Sequence, residues 1–358
     1  MLTALIFIIV IGVLVLVHEF GHFIFAKKAG MKVEEFGFGF PPRLWGIKKG
    51  ETTYSINWIP FGGFVKILGE DGDERGPRSF ASGSFGQRIL VIVAGVLMNI
   101  LLAAVFLVIV NFFGLRVGIS EQEAAGYQDL KIQIVEVSAG SPAAAAGLQP
   151  LDEIRGYADG GTFYAIHTTE ELQNLTAQRQ GQPITLELTR GATDIEKTLT
   201  PRANPPAGQG ALGISLAMTG LVHYPWYESI WRGFYDTGII IINTVLGYYY
   251  LLKTLIIHGT LIAEVSGPIG IAGLTGQAAR IGITYLLQFV ALISVNLAVL
   301  NIIPFPALDG GRALMLIIEK IKGSPIHRKT EMVINMAGFY LLIALMVYIT
   351  YKDISKFF

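Results

Sequence analysis

Three stretches of this 358-residue sequence run without a charged side chain for longer than a water-soluble fold tolerates: residues 89–115 (27 residues), 281–308 (28) and 332–351 (20). Crossing a hydrocarbon core takes about 20 apolar residues of helix, so each run is long enough to span a bilayer. The first 26 residues supply a fourth span, uncharged over 2–17 and apolar again over 20–26, interrupted only by His18, Glu19 and His22. They read as a span and not as a cleaved signal peptide: no basic stretch precedes the apolar run, and no small-x-small site precedes Lys27 and Lys28. A fifth run, 237–252, has only 16 uncharged residues between Asp236 and Lys253 and holds Asn243, which predicts an interfacial or re-entrant helix. The expected fold is therefore a polytopic α-helical membrane protein with about four transmembrane helices. Its 52% hydrophobic and 15% charged composition agrees.

Charge placement orients the spans. Lys27, Lys28, Lys32, Arg43, Arg75, Arg78 and Arg88 flank the segment between the first two runs, and Lys320, Lys322, Arg328 and Lys329 lie between the last two. By the positive-inside rule both face the cytoplasm, and residues 116–280 and both termini face outward. The 27 Lys and Arg balance 27 Asp and Glu, leaving no net field to attract nucleic acid, which is excluded as a partner. With no cysteine, disulfides, iron-sulfur clusters, thiolate zinc sites and cysteine nucleophiles are excluded too. Any metal must sit on His, Asp or Glu.

Within the outer segment, residues 129–203 have the punctuation of a small domain. Residues 131–137 alternate like a strand, and 141–147 form a short Ala-rich helical turn. Thr168 and Glu171 make a capping box opening a helix to about Gln180, ended by Gly181. Residues 184–190 and 195–200 alternate again about Gly191, as a hairpin. This order, with Gly-Leu-x-Pro-Leu-Asp-Glu-Ile at 147–154, resembles a PDZ domain, although Leu151 stands where glycine is commoner. The resemblance implies capture of an extended peptide or chain end by strand addition; a domain that only fills space above the membrane is the alternative. Residues 204–210, with two prolines and two glycines, form the linker out. The expected organisation is 1–128, the first two spans and a cytoplasmic loop; 129–203, the PDZ domain; 204–280, linker and interfacial helix; and 281–358, the last two spans.

His18-Glu19-Phe20-Gly21-His22 interrupts the first span. On a helix, residues four apart share a face, so both imidazoles can meet one ion, while Glu19, turned by about 100°, can hold a water instead. This is the HExxH pattern of zinc peptidases. A chance match fails on cost, because ionisable groups inside a span are expensive unless compensated, and a bound cation compensates three in five residues. A catalytic zinc takes three protein ligands and keeps one position open. Asp309, between apolar stretches, is the best third ligand; an ion pair with Arg312 is its alternative role. His258 and Glu264 lie outside the clear spans, and His167, His223 and His327 read as surface or interface residues. Pro304 and Pro306 force the backbone open just before Asp309, which membranes permit only beside protein or water. Gly310 and Gly311 remove bulk there and let another backbone come close.

An HExxH in a first span, Asn301-x-x-Pro304-x-Pro306-x-Leu308-Asp309-Gly310 near the end of a later one and a PDZ-like domain between them together resemble the site-2 protease family of intramembrane zinc metalloproteases, most closely its bacterial RseP-type branch. Gly37-Phe38-Gly39, Pro60-Phe61-Gly62-Gly63-Phe64-Val65-Lys66, Ala94-Gly95 through Asn99, and Ser266-Gly267-Pro268-Ile269-Gly270 carry the likeness along nearly the whole chain. The resemblance implies a zinc metalloendopeptidase of a bacterial inner membrane, its site toward the cytoplasm, with His18, His22 and Asp309 as Zn2+ ligands and Glu19 as base. The chain departs from better-known members in carrying one PDZ domain, not two. Implied substrates are transmembrane segments of single-span proteins such as anti-sigma factors, or remnant signal peptides.

Cutting a helix requires extended backbone. Residues 53–59 alternate, with Tyr54, Ile56 and Trp58 on one face, and 61–65 could return after Pro60, which predicts a hairpin against the membrane. Its edge is expected to pair with unwound substrate, with simple interfacial anchoring as the alternative. Asn301 and Asn99 are polar groups in spans; each either binds substrate backbone or the developing oxyanion, or ties helices together. Asn301 and Gly310 join Tyr54, Ile56 and Trp58 as candidate substrate-binding residues. The reading outside the enzyme class is a membrane PDZ scaffold with a structural, four-ligand metal site. No inverted repeat suggests a transporter.

Overall fold

A computed structural model describes residues 2–70, 76–120, 124, 127–206, 208–259, 267–324 and 326–355; Arg75, Glu264 and Ser266 lie outside them. Its elements begin with helix α1 (Leu2–Lys28), strands β1 (Val33–Lys49) and β2 (Thr52–Ile67), and helix α2 (Phe85–Phe113). Next come β3 (Leu115–Ile119), β4 (Gln128–Val137), α3 (Pro142–Ala145), β5 (Glu153–Asp159), β6 (Thr162–Ala165), α4 (Thr169–Gln178), β7 (Ile184–Arg190), β8 (Thr193–Leu199) and β9 (Ile214–Val222). Five helices finish the chain: α5 (Trp226–His258), α6 (Pro268–Ile281), α7 (Ile283–Ile302), α8 (Asp309–Lys322) and α9 (Arg328–Ser355). Two compact units result, one of residues 1–109, 230–279 and 286–358, the other of 110–229 and 280–285.

The helical unit contains most of the apolar length. Among the described residues α1, α2, α5, α7 and α9 are long and apolar enough to cross a membrane, five helices where four spans were expected. The additional one is α5, whose 33 residues extend well beyond the 237–252 run, because helix continues through polar positions that hydropathy leaves out. Ala103 and Leu107 of α2 pack with Ala291, Val295 and Val299 of α7, and Val10 and Leu14 of α1 pack with Val290. α7 stops two residues before Pro304, and α8 begins at Asp309 after an extended Leu308.

The loop after α1 is a sheet of richer pairing than the expected hairpin. Lys49 faces Thr52, Ile47 faces Tyr54 and Trp45 faces Ile56, so the tight turn is at Gly50 and Glu51, not at Pro60. The first half of β1 meets both halves of β2: Phe36 is opposite Tyr54 and Val65, Gly37 opposite Ser55 and Phe64, and Phe38 opposite Ile56 and Gly63. Residues 53–56 are thereby paired on both sides, so Tyr54 and Ile56 do not form the open edge expected of them, while Trp58 lies beyond this doubly paired stretch. The physical reason is that 33–38 (Val-Glu-Glu-Phe-Gly-Phe), without clean alternation, supplies an unforeseen partner strand. Among the described residues, 63–67 pairs on one side only.

The second unit is built on a sheet in the order β3-β9-β4-β5-β7-β8, with β6 paired to β5. Its core gathers Ile132, Ile134, Leu172, Leu186 and Leu188. Thr168 caps α4 by accepting the Glu171 N–H at 3.1 Å, as the capping box predicts. Asp152, buried, accepts two 2.7 Å bonds from Arg190. Leu151 holds φ at 72°, so the turn keeps a left-handed conformation without glycine. The unit is larger than 129–203, because β9, from the expected linker region, pairs with β4 and β3. Such long-range pairing leaves no local signature.

Candidate active site

Two glycines let α1 and α2 touch. A Cβ on Gly21 would collide with the carbonyl of Ala94, and one on Gly95 would lie 2.5 Å from His22 Nε2 and 2.7 Å from His18 Nε2. The imidazoles of α1 thus occupy the space that Gly95 leaves open. Each ring is also held by its far nitrogen. His22 Nδ1 donates to the Val91 carbonyl at 2.8 Å, so Nε2 is the atom that faces inward. His18 Nδ1 lies 3.4 Å from the side-chain amide of Asn99, which is 1% exposed and whose Oδ1 is otherwise unpartnered. Turning that amide so that Oδ1 accepts from Nδ1–H satisfies both groups and directs the His18 Nε2 lone pair to the same point. Ser294 of α7 donates to the Asn99 carbonyl at 2.8 Å, tying α2 to the next helix.

Asp309 arrives from the start of α8. Its Oδ2 lies 3.0 Å from His18 Nε2 and 3.5 Å from His22 Nε2, and the two Nε2 atoms are 3.2 Å apart. With both Nδ1 atoms engaged, no donor faces the buried Oδ2. Three lone-pair atoms at such distances repel unless a cation lies among them. Zinc bonds of about 2.1 Å in a tetrahedron put ligand atoms about 3.4 Å apart, so this donor set fits zinc. It is the one three-residue cluster of metal-ligating type among the described residues.

Glu19 is outside the ligand set, as the helical spacing requires. A methyl group on Gly63 would stand 3.4 Å from Glu19 Cγ and 3.9 Å from Val15, so the singly paired 63–67 segment runs in van der Waals reach of that side chain. Gly310 and Gly311 do admit a close backbone, and it is their own: a Cβ on either would collide with the carbonyls of Ile302 and Ile303 or of Phe305. Gly310 is therefore packed against the preceding turn. Asn301 is half-buried in the last turn of α7, and its side chain makes no hydrogen bond among the described residues. Arg312 pairs with Glu70 at the end of β2. Sequence reasoning does not reach Gly95 and Val91 as site residues, because a missing side chain and a main-chain carbonyl carry no chemistry of their own; the small-residue pair Ala94-Gly95 was the available signal.

The model of peptidase family M50 matches residues 6–345. This chain belongs to that family. A Clostridium perfringens protein with a provisional zinc metalloprotease name is 40% identical over 343 residues, covering 95% of each chain. The zinc metalloprotease RasP of Geobacillus kaustophilus is 31% identical over 437 aligned positions, covering 98% of this chain and 97% of its own, and RasP of Oceanobacillus iheyensis is 29% identical over the full length of both. The chain is a zinc metalloprotease of the site-2 type and a multi-pass membrane protein.

Proposed function

We propose that this enzyme hydrolyses peptide bonds within or near the transmembrane segments of single-span proteins, with His18, His22 and Asp309 as the zinc ligands and Glu19 as the catalytic base. The observation that carries it is the triangle of ligand atoms at 3.0, 3.2 and 3.5 Å, with Glu19 left outside. When bound, zinc acidifies a water toward a pKa of about 7 and polarises a carbonyl. Glu19, outside the ligand cluster, would accept a proton from the attacking water and return it to the leaving amine. The imidazoles are aimed at one point because Val91 and Asn99 lie at their Nδ1 atoms. Asn301, whose side chain has no hydrogen-bond partner among the described residues, binds substrate backbone in this reading.

Substrate adds as a strand to the outer edge of residues 63–67, next to Glu19. Exposed Phe40, Leu44, Trp45, Ile47, Trp58 and Ile59 on the rest of the sheet support its immersion in the membrane, since such a patch in water invites aggregation. The N-terminus lies outside a bacterial inner membrane and the site toward the cytoplasm, as the Lys and Arg placement argues. Four net crossings are supported by the neighbours of α5 and α6. Gly233 of α5 lies against Val108 near the end of α2, while α6 has Gly267 against Asp353 near the end of α9 and Gly276 against Thr3. Both helices thus begin at the same end of the bundle. The second unit is a PDZ-type domain that selects substrates whose outer part has been shortened.

Glu19→Gln tests this reading. The variant is expected to keep stoichiometric zinc and lose turnover, and mass spectrometry should find uncut substrates accumulating with uniformly short outer segments. Near-normal turnover refutes the mechanism, and a broad spread of outer lengths refutes the filter.

A further inference from the structure

The carboxylate of Asp309 reaches the histidines from a turn between two helices, and the turn is strained. Ala307 holds φ at 71°, a conformation that residues with a side chain rarely adopt. On one flank Gly310 and Gly311 fold back onto the carbonyls of residues 302–305. On the other flank the turn meets α9, a helix from a later part of the chain. Asn335 Oδ1 accepts the Ala307 N–H at 3.2 Å. One turn along the same face, Gly338 is buried where a Cβ would stand 2.6 Å from both the Cβ and the carbonyl oxygen of Pro306. α9 otherwise lies open: Gly338 and Asp353 are its buried residues among those described. Its closest packing against the body of the protein is thus spent in part on the two residues that precede Leu308 and Asp309.

We propose that Asn335 and Gly338 are positioning residues for zinc: α9 clamps the Pro306–Ala307 peptide and so fixes the direction in which Asp309 leaves the turn. This rests on the reading of Asp309 as a ligand. Without the Asn335 bond, Ala307 relaxes toward negative φ, and the rotation carries through Leu308 to the carboxylate. The acceptor is what matters at 335, so aspartate can replace asparagine. Glycine at 307 reaches positive φ unaided and should lower the dependence on the clamp.

The test uses the full-length zinc enzyme in detergent, measuring zinc retained against a graded chelator, with circular dichroism and thermal unfolding to verify the fold. Asn335→Ala is expected to hold zinc roughly three- to tenfold more weakly, the usual worth of one net hydrogen bond. Asn335→Asp should stay within about twofold of wild type, and Ala307→Gly combined with Asn335→Ala should recover most of the loss. Gly338→Ala, which removes no hydrogen bond, should also weaken retention by displacing Pro306. Val333→Ala, at a position 62% exposed on the same helix, should do nothing. Wild-type retention in both Asn335→Ala and Gly338→Ala, or no rescue by aspartate or by glycine at 307, overturns the clamp. Asp309→Ala separates the two ideas: zinc lost there while both α9 variants retain it sinks only this inference, whereas zinc retained there sinks the ligand assignment itself.

Discussion

Gly95→Ala is the smallest change that should disable the enzyme while improving the helix that carries it. The added methyl carbon would stand 2.5 Å from His22 Nε2, 2.6 Å from His18 Cε1 and 2.7 Å from His18 Nε2. Unbonded heavy atoms approach to about 3.5 Å, so roughly 1 Å must be recovered by tilting the rings or parting α1 from α2. The close approach of Gly21 to the Ala94 carbonyl marks the crossing where the helices are already in contact, so the rings must yield. A displacement of about 1 Å at a catalytic centre costs on the order of a hundredfold in rate. Helix propensity works the other way, because alanine inside a helix is favoured over glycine by about 1 kcal/mol. The variant should therefore keep its helical circular dichroism and melt no lower than wild type, while zinc per chain, by elemental mass spectrometry after gel filtration, and cleavage of a transmembrane peptide both collapse. Gly86→Ala, in the first turn of the same helix with open space around it, serves as the control. Full zinc and cleavage within about threefold of wild type in Gly95→Ala would refute the reasoning, since rings held against the metal cannot also make room.

Two further outcomes follow from the sheet beside the site. Successive N–H groups of a strand point to opposite edges, so of Phe64→Pro and Val65→Pro one removes a donor from the outer edge; that variant should lose cleavage with zinc intact, and unchanged cleavage in both would end the strand-addition idea. Glu51, in the β1–β2 turn, receives both arms of Arg78 at 2.7 and 2.8 Å and Lys27 at 2.9 Å, and these hydrogen bonds, Arg78 foremost, hold its carboxyl down to about 2. A depressed carboxyl contributes stability that is complete above the ordinary value of 4.5 and is lost as pH falls toward about 2. Hydrogen-exchange protection of the turn should decline over that window, sooner in high salt because the pair is exposed, and flat protection through it would contradict the assignment.

Much of the site was legible in the sequence because its chemistry is local or costly. His18 and His22 share a face by helical arithmetic alone, and three ionisable groups in an apolar run require an explanation wherever the run packs. Asp309 stood out for the same reason, beside two prolines that no continuous helix accommodates. The sheet was legible only in part: the alternation of 53–59 identified a strand, but its partners in 33–38 carry no clean period. The second unit was read one strand short at each end, since β3 and β9 are held by pairing with distant segments.

Composition and spacing by themselves determined that the chain enters a membrane, that without cysteine a metal must rest on nitrogen or carboxylate oxygen, and that His18 and His22 share one helix face, because transfer cost and helical periodicity act within a few residues. Only the folded chain decided that Gly95 makes room for the rings, that the Val91 carbonyl holds His22 and Asn99 lies beside His18, that Gly63 comes close to Glu19, and that Asn335 accepts from the turn before Asp309. Those are contacts between elements separated by tens to hundreds of residues, set by how surfaces close on one another, and a linear string of side chains carries no record of which backbone carbonyl or missing methyl group will face them.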